Sequence, residues 1–242
     1  MFVNYDLDKI KFATDGPTFK RAIDLYEKGK IKNFCKTTGG FSAVVLGTKP
    51  YQVFVSARRF DQGSCQCYLG QHDTLCKHMV AVALWAVLEG KPLTEKDKQA
   101  IDRPVCSQQP GELNPEKLSA FKKEITAAMG YIKPYRGPSR RWFAYQDSLS
   151  EGCRRLSAII SELPVSFQTA KLLVGLLLRL DRKLSRGGVD DSDGTVGGFI
   201  EETVKVLEEY TKIDPACKKA FETLKDKETC FGWEESLLAF LK

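Results

Sequence analysis

The sequence predicts an α+β N-terminal part, a helix with a small antiparallel sheet, followed by an all-α C-terminal domain. Three observations lead there. Residues 31–58 are rich in β-branched and aromatic side chains and are punctuated by Gly39-Gly40 and by Gly47 to Pro50, the texture of strands joined by turns. Residues 90–115 hold four prolines (92, 104, 110 and 115) beside Gln108, Gln109 and Gly111, a composition that breaks regular structure. Beyond residue 115, apolar residues recur at helical spacing.

In chain order, Asp15-Gly16-Pro17-Thr18 is a helix start. Phe19, Ala22, Ile23 and Tyr26 then fall on one face, and Gly29 is a stop. Strands are expected over 31–37, 41–47 and 51–58, with Val53 and Val55 on a buried face opposite Phe54 and Ser56. A helix is expected over 77–88, ending near Gly90 and Pro92. Further helices are read at 115–130, 145–163, 166–186, 195–211, 215–225 and 233–241. In the third of these, Leu172, Leu173, Leu176, Leu177 and Leu180 form a wide apolar stripe, which makes it the central helix. The organisation expected is a module over 1–95, a linker over 96–114 and a helical domain over 115–242.

Composition excludes several classes. The chain has 242 residues, 43% hydrophobic and 28% charged, ordinary for a globular protein and inconsistent with long disorder or a fibrous repeat. The longest uncharged apolar runs, 79–88 and 172–178, fall far short of the ~20 residues of a membrane-spanning helix. The N-terminus shows no secretory signal pattern. A cytoplasmic, reducing setting without membrane contact is therefore expected, and a disulfide framework is not. The net charge is +6, unevenly spread: +5 over 1–103, −2 over 104–116, +6 over 117–155 and −3 over 156–242.

Of eight cysteines, only three cluster. Cys65-Gln66-Cys67 is followed after eight residues by Cys76-Lys77-His78. Three thiolates and an imidazole suit tetrahedral zinc. In an extended segment Cys65 and Cys67 point to one side and can grip one ion. On a helix, positions i and i+2 diverge by about 200°. Cys76 must therefore precede its helix, with His78 in the first turn. Gly70 and Asp73 can close the loop between the pairs. Four protein ligands fill a tetrahedron, whereas a catalytic zinc keeps an open position, so one structural zinc is expected. His72, the other histidine, is the competing ligand, and buried cysteines that bind nothing are the alternative to a metal site. Cys-x-Cys is not the thioredoxin spacing.

The pattern Cys65-x-Cys67-x8-Cys76-x-His78, running directly into Met79-Val80-Ala81-Val82-Ala83-Leu84-Trp85, resembles the SWIM zinc finger. The stretch 20–31 and the strands after it are similar to the segment preceding the finger in many bacterial SWIM proteins, so the resemblance covers about 15–90. It implies a ββα fold around zinc, with Cys65, Cys67, Cys76 and His78 as ligands, and an association with either DNA or protein partners. Residues 137–143 and 190–194 are similar to the helical tail of some bacterial SWIM proteins.

Two weaker signals lie further on. Residues 131–143 interleave Tyr131, Tyr135, Trp142 and Phe143 with Lys133, Arg136, Arg140 and Arg141, as in grooves that hold single-stranded nucleic acid. The bland alternative is a connector whose aromatics anchor it to the bundle. Asp190-Asp191-Ser192-Asp193-Gly194 has the look of a calcium loop, but that alignment puts Val189 and Ile200 where carboxylates belong. Ser192 or Asp193 capping the next helix is the simpler reading. No nucleophile or phosphate-binding motif is present, and no catalytic residue is expected. The sequence therefore points to a non-enzymatic, zinc-binding SWIM finger protein that binds nucleic acid, DNA in the first instance. The alternative is a protein-interaction scaffold or regulatory subunit with a structural zinc.

Overall fold

The computed structural model describes residues 3–138 and 141–241. Two compact units divide the chain, Met1–Ala100 and Ile101–Lys242.

The first unit is α+β. α1 (Leu7–Ala13) and α2 (Gly16–Glu27) precede four strands, β1 (Ile31–Thr37), β2 (Gly40–Leu46), β3 (Pro50–Ser56) and β4 (Gly63–Cys65). All pair antiparallel in the order β1-β2-β3-β4. A helical turn, α3 (Tyr68–Gln71), leads to α4 (Lys77–Leu88), and α5 (Glu95–Lys98) ends the unit. Period-two burial fixes the register: Phe41, Ala43 and Val45 of β2 and Val53 and Val55 of β3 are buried, and the residues between them are not fully so. A one-residue slip would turn that whole set outward. α2 buries Phe19, Ala22, Ile23 and Tyr26 as its periodicity requires, and its N-cap Asp15 accepts from Thr18 N. α4 packs against α1, α2 and the sheet. It is buried from His78 to Leu84, which explains why it reads as an uninterrupted apolar run. α1, absent from the sequence reading, buries only Ile10, too little for a periodic signal.

The second unit is helical: α6 (Pro115–Ala128), α7 (Trp142–Glu162), α8 (Phe167–Ser185), α9 (Thr195–Ile213) and α10 (Glu234–Leu238). α8 is central, with Leu173, Val174, Leu176, Leu177 and Leu180 buried. Leu172, expected in that stripe, is only partly buried, and Val174 takes its place. The helix expected over 215–225 winds as a 3-10 helix, Pro215–Leu224, which still buries Cys217, Ala220, Phe221 and Leu224. The helix expected over 233–241 ends at Leu238 and continues as a 3-10 turn, Ala239–Leu241. From residue 101 the proline-rich segment is tied into this unit. Val105 N donates to Ser161 Oγ, Val165 N donates to Gln109 O, and the Gln168 amide clamps both the N–H and C=O of Leu113. Among the described residues, no helix is long and apolar enough to cross a membrane.

The acidic run at 190–194 serves the fold. Asp191, rather than Ser192 or Asp193, is the principal cap. Its carboxylate accepts from Val196 N at 2.7 Å and Gly197 N at 2.8 Å, and Asp193 takes Thr195 N at 3.1 Å. Burial pushes the Asp191 carboxyl above its usual range, with those two N–H groups opposing. Asp190 accepts from the Trp142 indole and from Ser192. Carboxylates engaged in this way favour the positive end of α9. Asp191→Ala is expected to cost about 1–2 kcal/mol of stability, read as an earlier thermal midpoint, while added calcium leaves the wild-type midpoint unchanged. A calcium-induced rise would contradict this assignment.

Candidate metal centre

Backbone conformation delivers the four ligands to one point. Cys65 ends β4, where its neighbour across the sheet is Val53. Cys67, two residues on and still extended (φ −75°, ψ 166°), is the N-cap of α3. Cys76 is extended (φ −124°, ψ 159°) and is the N-cap of α4, so His78 falls in the first turn. The expectation that Cys76 precedes the helix holds for the stated reason. Asp73 closes the loop in the left-handed region (φ 52°), and Thr74 N donates to Leu69 O.

The four ligand atoms lie within 4.8 Å of one another, and all four residues are buried. His78 Nδ1 is 3.7 Å from Cys65 Sγ and 3.9 Å from Cys76 Sγ. Tetrahedral zinc, with bonds of ~2.3 Å to sulfur and ~2.05 Å to nitrogen, requires an S···N edge of about 3.6 Å, so the donor set fits that ion. As thiolates the three buried sulfurs would need a cation to balance their charge. Contact with the Cys65 sulfur draws the Cys76 thiol down against the opposing effect of burial, with His78 and the Met79 N–H assisting. The same contact pushes the Cys65 thiol up. Zinc bound here would hold Cys65, Cys67 and Cys76 as thiolates, their thiol protons passing to solvent. His72 stands apart: it is exposed, and its Nδ1 lies 2.8 Å from Tyr68 O.

The surroundings are shaped for the ligands. The Tyr51 ring stacks on the His78 imidazole, centroids 4.6 Å apart, and holds its orientation. His78 Nε2 is buried with no hydrogen-bond partner among the described residues. It faces Gly47, where a Cβ would come within 3.0 Å of it. Gly70 admits the closest approach. Its N–H donates to Cys67 Sγ at 3.4 Å, and a Cβ there would lie 2.4 Å from the backbone oxygen of Cys65. Tyr51, Gly47 and Gly70 therefore belong to the site. Sequence reading gave Gly70 only a loop-closing role and missed the other two, whose signal lies across β3 and its turn rather than in the motif.

The segment 131–143 is divided by the structure. Lys133, Arg136 and Arg141 are exposed, and Phe143 is 75% exposed. The other aromatics are tied inward. Arg155 lies 4.8 Å over the Tyr131 ring, Tyr135 packs on Tyr145, and the Trp142 indole donates to Asp190 Oδ2 at 3.1 Å. Arg140 lies outside the described residues. The remaining cysteines do not cluster. Burial pushes the Cys153 thiol up and raises Cys217 to about 12, the state of unreactive thiols.

Four ligand residues, two from the end of β4 and its continuation and two from the start of α4, would fill a tetrahedral zinc. Residues 51–84 match the family model of the SWIM zinc finger, so this segment is a SWIM zinc finger whose Cys3His cluster is suited to one zinc ion. The match spans nearly all of β3, together with β4 and α3, and α4 as far as Leu84. No curated protein and no solved structure matches the chain.

Cys76→Ser and His78→Ala are each expected to lose the bound zinc and to deprotect β3, β4 and α4 in hydrogen exchange. Retention of a full equivalent in both would contradict the ligand assignment. Gly70→Ala keeps all four ligands but is expected to weaken zinc binding roughly 10–100-fold, measured by competition with a chromophoric chelator.

Proposed function

We propose that the protein is a non-catalytic nucleic-acid-binding protein whose zinc holds a contact surface in shape. One observation carries this reading. The knuckle between the two ligand pairs turns its side chains outward while the ligands stay buried. On it, Tyr68 is 75% exposed and its ring lies 4.5 Å from the exposed His72 ring. An exposed aromatic pair is a platform on which a base can stack. It belongs to a unit with fifteen Lys and Arg against ten Asp and Glu over 1–100, the excess that phosphate attraction needs. Arg141 and Phe143, exposed on the second unit, offer the same pairing of chemistries. Four protein ligands leave zinc no position for substrate, which supports a non-catalytic role.

The test is binding of the zinc-loaded full chain to single-stranded DNA, duplex DNA and RNA across a salt series. Affinity should fall steeply with salt, because phosphate contacts release counterions. Tyr68→Ala should weaken single-strand binding about 5–100-fold with the salt slope unchanged. Arg136→Ala with Arg141→Ala should make the slope shallower. Absence of binding even at low salt would overturn the proposal.

A further inference from the structure

An apolar groove of about 650 Å³ runs between α6 and α8 and is built from the second unit alone. Its accessible apolar lining is Leu118 on α6 and Phe167 and Leu172 on α8, over a floor of the buried Ile125 and Leu176. Phe167 is 39% exposed, and Leu172 is the one leucine of the α8 stripe that left the core for this surface. α6 itself buries only Ile125 and Ala128 along fourteen residues. The lining of α8 extends from Phe167 to Arg179, about 18 Å along the helix.

Two further features define an occupant. The charged residues lining the groove are all cations: Lys122 on the α6 rim, and Lys171 and Arg179 on the α8 rim. None of the three has an ion-pair partner among the described residues. An apolar floor with cations on both edges complements an apolar stripe with carboxylates on both edges. Gly175 then lies in the middle of α8, where glycine is about 1 kcal/mol less helix-favouring than alanine. A Cβ there would meet nothing within 4 Å, so core packing does not require the glycine. Its absent side chain leaves room for another chain to approach.

We infer that the α6–α8 groove is a docking site for an acidic amphipathic helix of a protein partner. Apolar side chains at i, i+3/i+4 and i+7 lie against Leu118, Phe167 and Leu172, the established mode of helix-in-groove recognition. Glutamates or aspartates flanking them pair with Lys122, Lys171 and Arg179. This inference rests on α6 and α8 and is independent of nucleic-acid binding by the finger.

The probe is a labelled helical peptide of about 18 residues, with leucines on one stripe and glutamates flanking it, titrated into the zinc-loaded full chain. A second peptide carries lysine for each glutamate. The acidic peptide should bind and the basic one should not. Gly175→Leu fills the groove and should weaken binding at least about tenfold, while Gly198→Leu, at another open helical glycine on α9, should leave it unchanged. Lys171→Glu with Arg179→Glu should reverse the preference between the two peptides, which tests the site even if Gly175→Leu fails to fold. Four outcomes would each overturn the proposal: no binding at millimolar peptide, equal binding of both peptides, displacement of the acidic peptide by single-stranded DNA in the Tyr68→Ala background, or self-association abolished by Gly175→Leu.

Discussion

Three sulfurs and an imidazole lie buried within 4.8 Å of one another, an arrangement that as thiolates requires a cation to balance its charge. That constraint organises the first unit. Cys65 fixes the end of β4, Cys67 fixes the start of α3, and Cys76 with His78 fixes the N-terminus of α4. α4 in turn packs on α2 and the sheet through its buried residues from His78 to Leu84. The three-residue β4 has little pairing of its own. A zinc held by these four residues would tie the end of β4 to the start of α4.

The same geometry separates structural work from surface work. The ligands point inward and the spacer between them points out, which makes the knuckle rigid without occupying its faces. Tyr51 below His78 and Gly70 beside Cys65 are the counterparts on the inner side: one orients a ligand and the other lets the backbone pass. With four protein ligands, a zinc bound here would have no open coordination position.

Much of this was legible in the sequence because it depends on local spacing. The Cys-x-Cys and Cys-x-His pairs dictate extended backbone at Cys67 and Cys76, and the structure has it at both. The strand and long-helix positions follow hydrophobic periods of 2 and 3.6 and were read nearly to their ends. What escaped depends on contacts across the chain. α1 buries a single residue and leaves no period. Asp191 caps α9 through residues five and six positions ahead, a reach that a simple cap pattern does not contain. The aromatics of 131–143 look alike in sequence, yet Trp142 is bound to Asp190 while Phe143 is exposed. The α6–α8 groove requires two helices 50 residues apart, and its one sequence trace is a glycine inside a leucine stripe.

The most direct test of this account is titration of the zinc-free full chain with cobalt(II), followed by its absorption spectrum. The account predicts one equivalent bound, with thiolate charge-transfer bands and the intense visible bands of a tetrahedral site, all displaced by zinc. Weak octahedral bands, or a tetrahedral spectrum that survives unchanged in Cys76→Ser, would contradict it.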